Sequence, residues 1–443
     1  MQRLLVVSML LFITPLAVHA NVTVGGLFNN NMVLQRGMKV PVWGKAAPGE
    51  EVTVAFLEQK KTTKADDKGN WHVKLDELKA GGPFELTITG KNTLTFKNVL
   101  VGEVWVCSGQ SNMQWTLSQT VKSADDANLP MLRLNGGSWQ ECTPETALKF
   151  SATGYHFGRE LQKALGVPVG LINRSVGGTS ARSWVSKSAV ESAPAMKPFL
   201  DELFPAKKGG AIGGLYESFI RPLIPFGMRG VIWYQGESDA SRPEEYTHLF
   251  KTLIQSWRAD WGQGEFPFLF AHLGAIGGAV KDPSQVGWGP IREAQSAALD
   301  LPATAVAAFH DSDADLHPRR KELVGARLAL AARRVAYGEK IVYSGPQFEA
   351  MKADGDKAIL TFQHVGGGLV AKGDAVKGFA IAGADGKFVW ADARIENDKV
   401  IAWSKDVPAP VFVRYAFASN PQCNLYNREG LPALPFRTDG KKK

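Results

Sequence analysis

Cysteine is scarce in this sequence, and long uninterrupted runs of charged or apolar residues are almost absent. The 443 residues contain three cysteines, Cys107, Cys142 and Cys423. So few cysteines exclude a disulfide-rich scaffold, and their spacing is not that of a zinc site. Because three is an odd number, at least one thiol stays free or pairs with another chain.

The positive charge of the chain is modest and dispersed. The formal net charge is +8 at pH 7, and the basic residues form only short runs, such as Lys60–Lys61, Arg319–Lys321 and Lys441–Lys443. The sequence has no long basic stripe with interleaved aromatic residues, which argues against nucleic acid as a partner. Internal repeats and low-complexity segments are also missing, so collagen-like and coiled-coil classes are excluded.

The one long apolar run, Leu4–Val18, lies at the start of the sequence. It follows Arg3 and leads into the small-residue cleavage pattern Val18–Ala20, which is typical of a secretory signal peptide. A membrane helix needs about 20 apolar residues, so a membrane anchor is the weaker interpretation. The sequence therefore predicts a signal peptide over residues 1–20 and an exported protein, periplasmic or extracellular, without a membrane span.

The hydrophobic pattern divides the remaining sequence into three regions. A single core stops growing near ~250–300 residues, which a chain of 443 residues exceeds. Residues 21–97 contain short alternating strands between turns and predict a small N-terminal β-sandwich. Residues 98–340 alternate strands with helices and predict an α/β domain with a mainly parallel sheet. Short strands return over residues 341–443 and predict a C-terminal β-rich domain.

Four polar clusters follow predicted strands of the α/β region, where open sheets bind ligands. Ser108–Met113 places serine on a turn that can expose its hydroxyl, and the paired glycines of Asn173–Ser180 can direct backbone N–H groups at an oxyanion. Trp233–Asp239 contains Gln235, whose amide is a further donor. His310–Pro318 places histidines beside carboxylates, as a general base requires.

Three of the clusters also have a purely structural interpretation. A turn with a serine N-cap explains Ser108–Met113 slightly better when that segment is taken alone, and a plain turn explains Asn173–Ser180 equally well. Asp239 is a more natural loop cap than a catalytic acid. Together, however, the clusters supply a serine nucleophile, oxyanion donors from two loops and a histidine with carboxylates, which are the groups of an acyl-transfer site.

A metal site is the alternative for the last cluster. Four acidic residues have the spacing of the first, third, fifth and last ligands of a calcium loop: Asp311, Asp313, Asp315 and Glu322. Leu316 stands where that loop needs glycine, and a strand rather than a helix precedes the segment. A transition metal held by His310 and His317 is also less favoured than a general base, so the sequence predicts no metal.

Several segments resemble the sialate O-acetylesterase family, within the SGNH/GDSL-type hydrolases. Gly102–Met113 resembles the family signature, and Tyr234–Ser238 and Asp315–Pro318 resemble its later blocks. The likeness runs from Met32–Arg36 to Cys423–Asn427 and so covers nearly the whole chain after the first twenty residues. It implies an SGNH-hydrolase-like three-layer α/β domain with β-sandwich or β-rich regions at both ends.

The resemblance also implies a serine esterase that removes O-acetyl groups from sugars without a cofactor. By position, Ser111 would be the nucleophile and His317 the base. The backbone N–H groups of Ser111 and Gly178, with the side chain of Gln235, would form the oxyanion hole. Asp315 would complete a triad, because the family pattern resembles Asp-x-His-Pro, while a Ser–His dyad with a backbone carbonyl orienting the imidazole stays open.

The predicted substrate is an O-acetylated sugar or glycan. Sialic acid is favoured, and acetylated xylan or another plant polysaccharide is the alternative. Arg182 could pair with a sialate carboxylate, Trp115 or Trp184 could stack on a sugar ring, and Glu237 could contact substrate. Arg182 is equally well interpreted as a surface charge, and Trp184 is better interpreted as a core residue. A carbohydrate-binding protein without activity is the alternative of another class.

Overall fold

The computed structural model describes residues 21–121, 123–203 and 211–440. The signal peptide predicted over residues 1–20 lies outside this described part. Within it, no helix combines the length and hydropathy that a membrane span requires.

The N-terminal region consists of short strands whose side chains alternate between core and solvent. In β6, for example, Trp71, Val73 and Leu75 are buried and their neighbours are exposed. The strands form a three-stranded sheet in the order β1-β3-β6 and a second sheet in which β4 pairs with β5 and β7. They are β1 (Thr23–Val24), β2 (Val33–Gln35), β3 (Val40–Lys45), β4 (Glu51–Phe56), β5 (Gln59–Lys64), β6 (Asn70–Leu75) and β7 (Gly81–Thr89).

The central sheet is built from buried apolar strands, and β12 has no exposed residue. Its order is β10-β9-β11-β8-β12-β13-β14, with parallel neighbours from β9 to β14 and an antiparallel β10 at the edge. Continuous apolar runs of this kind suit strands covered on both faces. The strands are β8 (Thr93–Gly109), β9 (Leu129–Asn135), β10 (Trp139–Cys142), β11 (Val169–Ser175), β12 (Gly230–Tyr234), β13 (Phe268–Ala271) and β14 (Thr304–Ala307).

Helices connect these strands. The two helices α3 and α8 pack against each other, and Gly325 of α8 lies so close to the backbone of Phe157 that a Cβ atom would be 2.9 Å from its nitrogen. The helices are α1 (Ser111–Gln114), α2 (Pro144–Leu148), α3 (Ala152–Leu165), α4 (Lys187–Ser192), α5 (Leu200–Leu203), α6 (Pro243–Trp261), α7 (Gly289–Ser296) and α8 (Lys321–Tyr337).

The C-terminal region is antiparallel and has a second hydrophobic core, which includes Leu360, Ile381 and Val413. It contains the sheets β15-β16-β21-β20 and β19-β18-β22-β24 and the pair β17-β23. The strands are β15 (Gln347–Asp354), β16 (Lys357–Gln363), β17 (Leu369–Ala371), β18 (Phe379–Ala382), β19 (Val389–Trp390), β20 (Asp392–Glu396), β21 (Lys399–Trp403), β22 (Phe412–Tyr415), β23 (Leu425–Asn427) and β24 (Phe436–Arg437). The observed fold is therefore α/β at the centre with β-rich regions on both sides, as the sequence indicates.

Strand β8 belongs to both the N-terminal region and the central sheet. Its first part pairs antiparallel with β7, and its last part lies parallel to β11 and β12. One hydrophobic core extends through both regions. The change of pattern near residue 98 therefore falls inside a continuous strand.

Buried polar contacts also join the two regions. The side chain of Glu103, in β8, is fully buried. Arg36 and Arg229 approach its carboxylate oxygens at 2.5 and 2.8 Å, and Gln35 donates to it at 3.0 Å. A buried carboxylate is stable only when it is paired in this way. These contacts lie at the amino end of the parallel part of β8, away from the turn that follows Gly109.

Candidate active site

Three of the four predicted clusters leave the sheet at adjacent strand ends. Gly109, at the end of β8, is in register with Ser175 of β11 and with Tyr234 of β12. Because these neighbouring strands are parallel, the segments that follow them emerge at one edge of the sheet. The histidine-containing segment follows β14, which is separated from β12 by β13 alone.

A tight turn places Ser111 at the first position of helix α1. Gly109, with φ of +133°, closes this turn against β12. A Cβ atom at this position would lie 2.2 Å from the backbone oxygen of Tyr234, so a larger residue would push the strands apart. Ser111 itself is half-buried, and its backbone N–H belongs to the first turn of a helix, where N–H groups have no partner within the helix.

Helix α1 is fixed by its neighbours in spite of its short length. The hydroxyl of Thr153, in α3, donates to the backbone oxygen of Asn112 at 3.1 Å, and Ser151 donates to that of Met113 at 2.5 Å. On the other side, Gln114 accepts a hydrogen bond from the backbone N–H of Gly177 at 2.7 Å. Contacts from the start of α3 and from the glycine turn after β11 therefore hold the backbone around Ser111 in place.

The imidazole of His317 stacks on a ring from the Ser111 helix end. The ring centroids of His317 and Trp115 are 4.4 Å apart, and their planes differ by 20°. The Nε2 atom of His317 is buried and has no hydrogen-bond partner among the described residues. Burial lowers the pKa of His317, and Lys321 lowers it further while Asp315 opposes the change. A neutral imidazole with an unused ring nitrogen can accept a proton.

Asp315 contacts the backbone of His317. Its Oδ1 accepts the backbone N–H of His317 at 2.9 Å, and its side chain is otherwise exposed to solvent. The imidazole plane is fixed instead by the Trp115 ring. The role of Asp315 as the third member of a triad therefore stays a prediction.

The glycine turn after β11 offers one backbone donor. The N–H of Gly177 is used by Gln114, whereas Gly178 is exposed and has a φ of +71°, a conformation that favours glycine. Gly178 is the predicted oxyanion donor of this turn, and its exposed position is compatible with that role.

The side-chain amide of Gln235 donates its hydrogen bonds within the protein. It is fully buried, and its Nε2 donates to Asp239 at 2.6 Å and to the backbone oxygen of Thr179 at 3.2 Å. Exchanging its amide oxygen and nitrogen would place an oxygen against two acceptors, so the orientation is well defined. Both amide N–H groups are thus engaged within the protein. The predicted oxyanion role of Gln235 would require this side chain to change partners.

Asp239 has the loop-capping role that the sequence favours. Its buried carboxylate accepts hydrogen bonds from the backbone N–H of Ala181 at 2.9 Å and from the side chains of Ser180, Gln235 and Arg242. These contacts join the glycine turn after β11 to the loop after β12. Asp239 is consequently a structural residue of the site.

A buried hydrogen-bond network joins the residue after Ser111 to the loop after β12 and to the histidine loop after β14. The Nδ2 atom of Asn112 donates to Glu237 at 2.5 Å and to the backbone oxygen of Leu316 at 2.9 Å. Its Oδ1 accepts a hydrogen bond from Lys321, whose side chain is fully buried. Burial raises the pKa of Glu237 and lowers that of Lys321 to about 7.

The predicted substrate contacts differ in accessibility. Arg182 is 2% exposed, so a sialate carboxylate would have to enter the protein interior to reach it. Trp184 is a core residue, as expected, and is fully buried. Trp115 is half-buried with one face against His317, and Glu237 accepts from Asn112. Of the four, Trp115 is the one in ring contact with the predicted base.

Asp311, the first acidic residue of the His310–Pro318 segment, is paired with an arginine. Asp311 forms two hydrogen bonds of 2.7 Å with Arg327, and these hold its pKa at about 2 although burial raises it. His310 is buried, and burial lowers its pKa to about 3. Throughout the described ranges, no three His, Cys, Asp or Glu side chains are grouped as metal ligands would be.

Asn112 and Lys321 are members of the site that the sequence interpretation gives no role. Lys321 could have been recognised, because it precedes Val324 and Leu328 at helical spacing and therefore lies on the apolar face of α8. A lysine on that face is buried, and a buried ammonium group needs polar partners inside the protein. Asn112 carries no comparable sequence signal.

The chain is similar to known carbohydrate esterases along most of its length. The family model described as carbohydrate esterase, sialic acid-specific acetylesterase, matches residues 101–332. Sialate O-acetylesterase from Mus musculus is 31% identical over 503 residues, covering 92% of each chain. The Homo sapiens enzyme is 32% identical over 481 residues, covering 92% of this chain and 91% of its own.

A solved structure is similar in fold as well. The crystal structure of a carbohydrate acetylesterase from Xanthomonas citri is 40% identical in sequence and superposes with a TM-score of 0.86. The match covers 95% of this chain and 100% of that one. The likeness therefore includes both β-rich regions and the central sheet.

Proposed function

Because this chain belongs to the sialic acid-specific acetylesterase family of carbohydrate esterases, we propose that it cleaves O-acetyl esters on sugars by a serine mechanism, with Ser111 as nucleophile and His317 as base. The activity of the family is carboxylic ester hydrolysis. The observation that supports this mechanism most directly is the ring stack between Trp115 and His317, which brings a neutral imidazole to the end of the Ser111 helix.

In the proposed cycle, His317 Nε2 takes the proton of Ser111 Oγ as that oxygen attacks the acetyl carbonyl carbon. The backbone N–H groups of Ser111 and Gly178 stabilise the oxyanion of the tetrahedral intermediate. The C–O bond to the sugar then breaks, and the imidazolium protonates the leaving sugar oxygen. Water, deprotonated by His317, attacks the acetyl-serine, and acetate leaves as Ser111 regains its proton.

We further propose that residues 98–340 form an SGNH-hydrolase-like three-layer domain between a β-sandwich over residues 21–97 and a β-rich domain over residues 341–443. The parallel pairing from β9 to β14 and the helices between those strands support the first assignment. Export after cleavage at Ala20 is part of the same proposal, based on the sequence pattern of residues 1–20.

We propose an O-acetylated sialic acid as substrate and acetylated xylan or another plant polysaccharide as the alternative. The mouse and human relatives are sialate O-acetylesterases, which favours the first. Purified protein is expected to release acetate from O-acetylated sialic acid faster than from acetylated xylan, with or without a chelator. A faster reaction with xylan would select the alternative. No release from either substrate would favour a carbohydrate-binding protein, and loss with chelator would indicate a metal-dependent hydrolase.

Asp315→Asn is expected to lower kcat by about tenfold or less, because the amide oxygen can still accept the backbone N–H of His317. In enzymes whose aspartate orients the imidazole, the same change lowers kcat by about 10⁴. Steady-state kinetics on an O-acetylated sugar distinguish the two cases. The exposed neighbour Asp313→Asn is the matched control, and a loss near 10⁴ confined to Asp315→Asn would establish a triad.

A further inference from the structure

Lys321 is a buried charged residue that the proposed cycle does not use. Its side chain is fully buried at the start of α8, on the face that also buries Val324 and Leu328. Removing an ammonium group from water is unfavourable unless it gains partners. The partner is Asn112, whose Oδ1 accepts a hydrogen bond from Lys321 Nζ.

Lys321 determines how the amide of Asn112 is oriented. While it is protonated, the lysine ammonium can only donate, so it requires the oxygen of the amide to face it. The nitrogen then faces the two acceptors on the other side, Glu237 Oε1 and the backbone oxygen of Leu316. With the amide turned over, each of the three contacts would join like groups.

The residues that this amide connects are next to the reacting groups. Asn112 follows Ser111 in the chain, and Leu316 precedes His317. Lys321 also lies over the ring of Trp115, with Nζ 6.0 Å from its centroid, and that ring stacks on His317. A single buried ammonium therefore bonds the residue that follows Ser111 and lies over the ring that stacks on His317.

We propose that Lys321 is a positioning residue for the Ser111–His317 pair and acts through Asn112. This inference rests on the proposed function. The hydrogen bond from Asn112 to Leu316 fixes the distance between the nucleophile turn and the histidine loop. Positioning of this kind affects the rate of the chemical step, since a displacement of about 1 Å can lower it by about 10².

Charges around His317 provide a second, independent readout. Lys321 from α8 faces the imidazole, and Asp315 comes from the histidine loop itself. Glu237, from the loop after β12, faces Lys321. Because the Lys321 charge lowers the pKa of His317, removing that charge raises this pKa.

The test is the variant Lys321→Met, which keeps the apolar stem and removes the charge and the donor. We expect kcat to fall about 10- to 100-fold while KM changes less than about threefold. The acid limb of the kcat/KM profile should also move to higher pH. The matched control is Lys251→Met, which removes a lysine that pairs with Asp300 at 2.8 Å on the surface and should leave both quantities unchanged. Unchanged kcat and an unmoved acid limb in Lys321→Met would overturn the proposal.

The route through Asn112 is tested by a double-mutant cycle with Asn112→Leu, which keeps the shape of the side chain. If Lys321 acts through Asn112, the double variant should be no slower than the slower single variant. If the kcat losses of the two single variants multiply in the double variant, Lys321 does not act through Asn112. If Lys321→Met does not fold, Asn112→Leu alone decides: a kcat-specific loss supports the proposal, and unchanged kcat refutes it. Full activity of Ser111→Ala would instead show that the proposed serine mechanism itself fails.

Discussion

Replacing Ser111 with alanine is expected to lower acetate release by about 10⁴- to 10⁶-fold, the loss seen when a serine nucleophile is removed. The proposed cycle has no other group that forms the acyl intermediate. The first measurement is kcat on an O-acetylated sugar. The second is mass spectrometry after rapid quenching, which detects a covalent acetyl-enzyme by a mass increase of one acetyl group. Wild type should carry the adduct on the peptide containing Ser111.

The variant should fold normally. Ser111 is half-buried, whereas the contacts that fix α1 come from Ser151 and Thr153 to backbone oxygens and do not involve the Ser111 hydroxyl. Ser118, exposed in the turn that follows, provides the matched control, and Ser118→Ala should retain full activity. Substantial activity in Ser111→Ala would refute the assignment and direct attention to the loop around His317.

His317→Gln is expected to produce a loss of similar size, about 10⁴- to 10⁶-fold in kcat, because an amide cannot accept the serine proton. The double variant with Ser111→Ala should be no slower than either single variant, since the two residues act as one unit. His72→Gln, in the exposed part of β6, is the control for a histidine change that touches no part of the site. If His317→Gln keeps more than about a tenth of the activity, the base is another group.

The pH dependence of the wild type follows from the same residue. His317 must be neutral to accept a proton, and burial and the Lys321 charge lower its pKa below the ordinary value of 6.5. Activity should therefore fall as the pH decreases through a value below 6.5. The kcat/KM profile of the free enzyme measures this limb. Its disappearance in His317→Gln is the expected companion result.

The sequence predicts well which regions are β-rich and which are α/β, because burial on one face and burial on both faces leave different patterns. β6 alternates, whereas β12 is apolar throughout. The structure places β6 at the edge of the three-stranded sheet β1-β3-β6 and β12 in the middle of the central sheet. The same property explains the difference at residue 98. β8 alternates in its first part and is buried throughout its second part, so the change of pattern near residue 98 lies within one strand.

Within the candidate site, the turns are predictable where the local sequence determines them. Glycine residues in the sequence indicate the turn before Ser111 and the turn before Thr179. The contacts that orient side chains were not predictable, because they join distant positions: Lys321 and Asn112 are 209 residues apart, and Asn112 and Leu316 are 204 apart. The direction of the Gln235 amide likewise depends on Asp239 and on a loop that precedes it by more than fifty residues.

The continuity of β8 has a consequence for how this protein could be divided or evolve. A cut at residue 97 would leave the first part of the strand with one fragment and the turn before Ser111 with the other. It would also separate Arg36 from Glu103 and leave that carboxylate short of a counter-charge. A fragment boundary at residue 97 would therefore cut contacts that a boundary in a loop would leave intact. We expect the N-terminal sheets to unfold together with the central sheet, because one hydrophobic core and one strand extend through both.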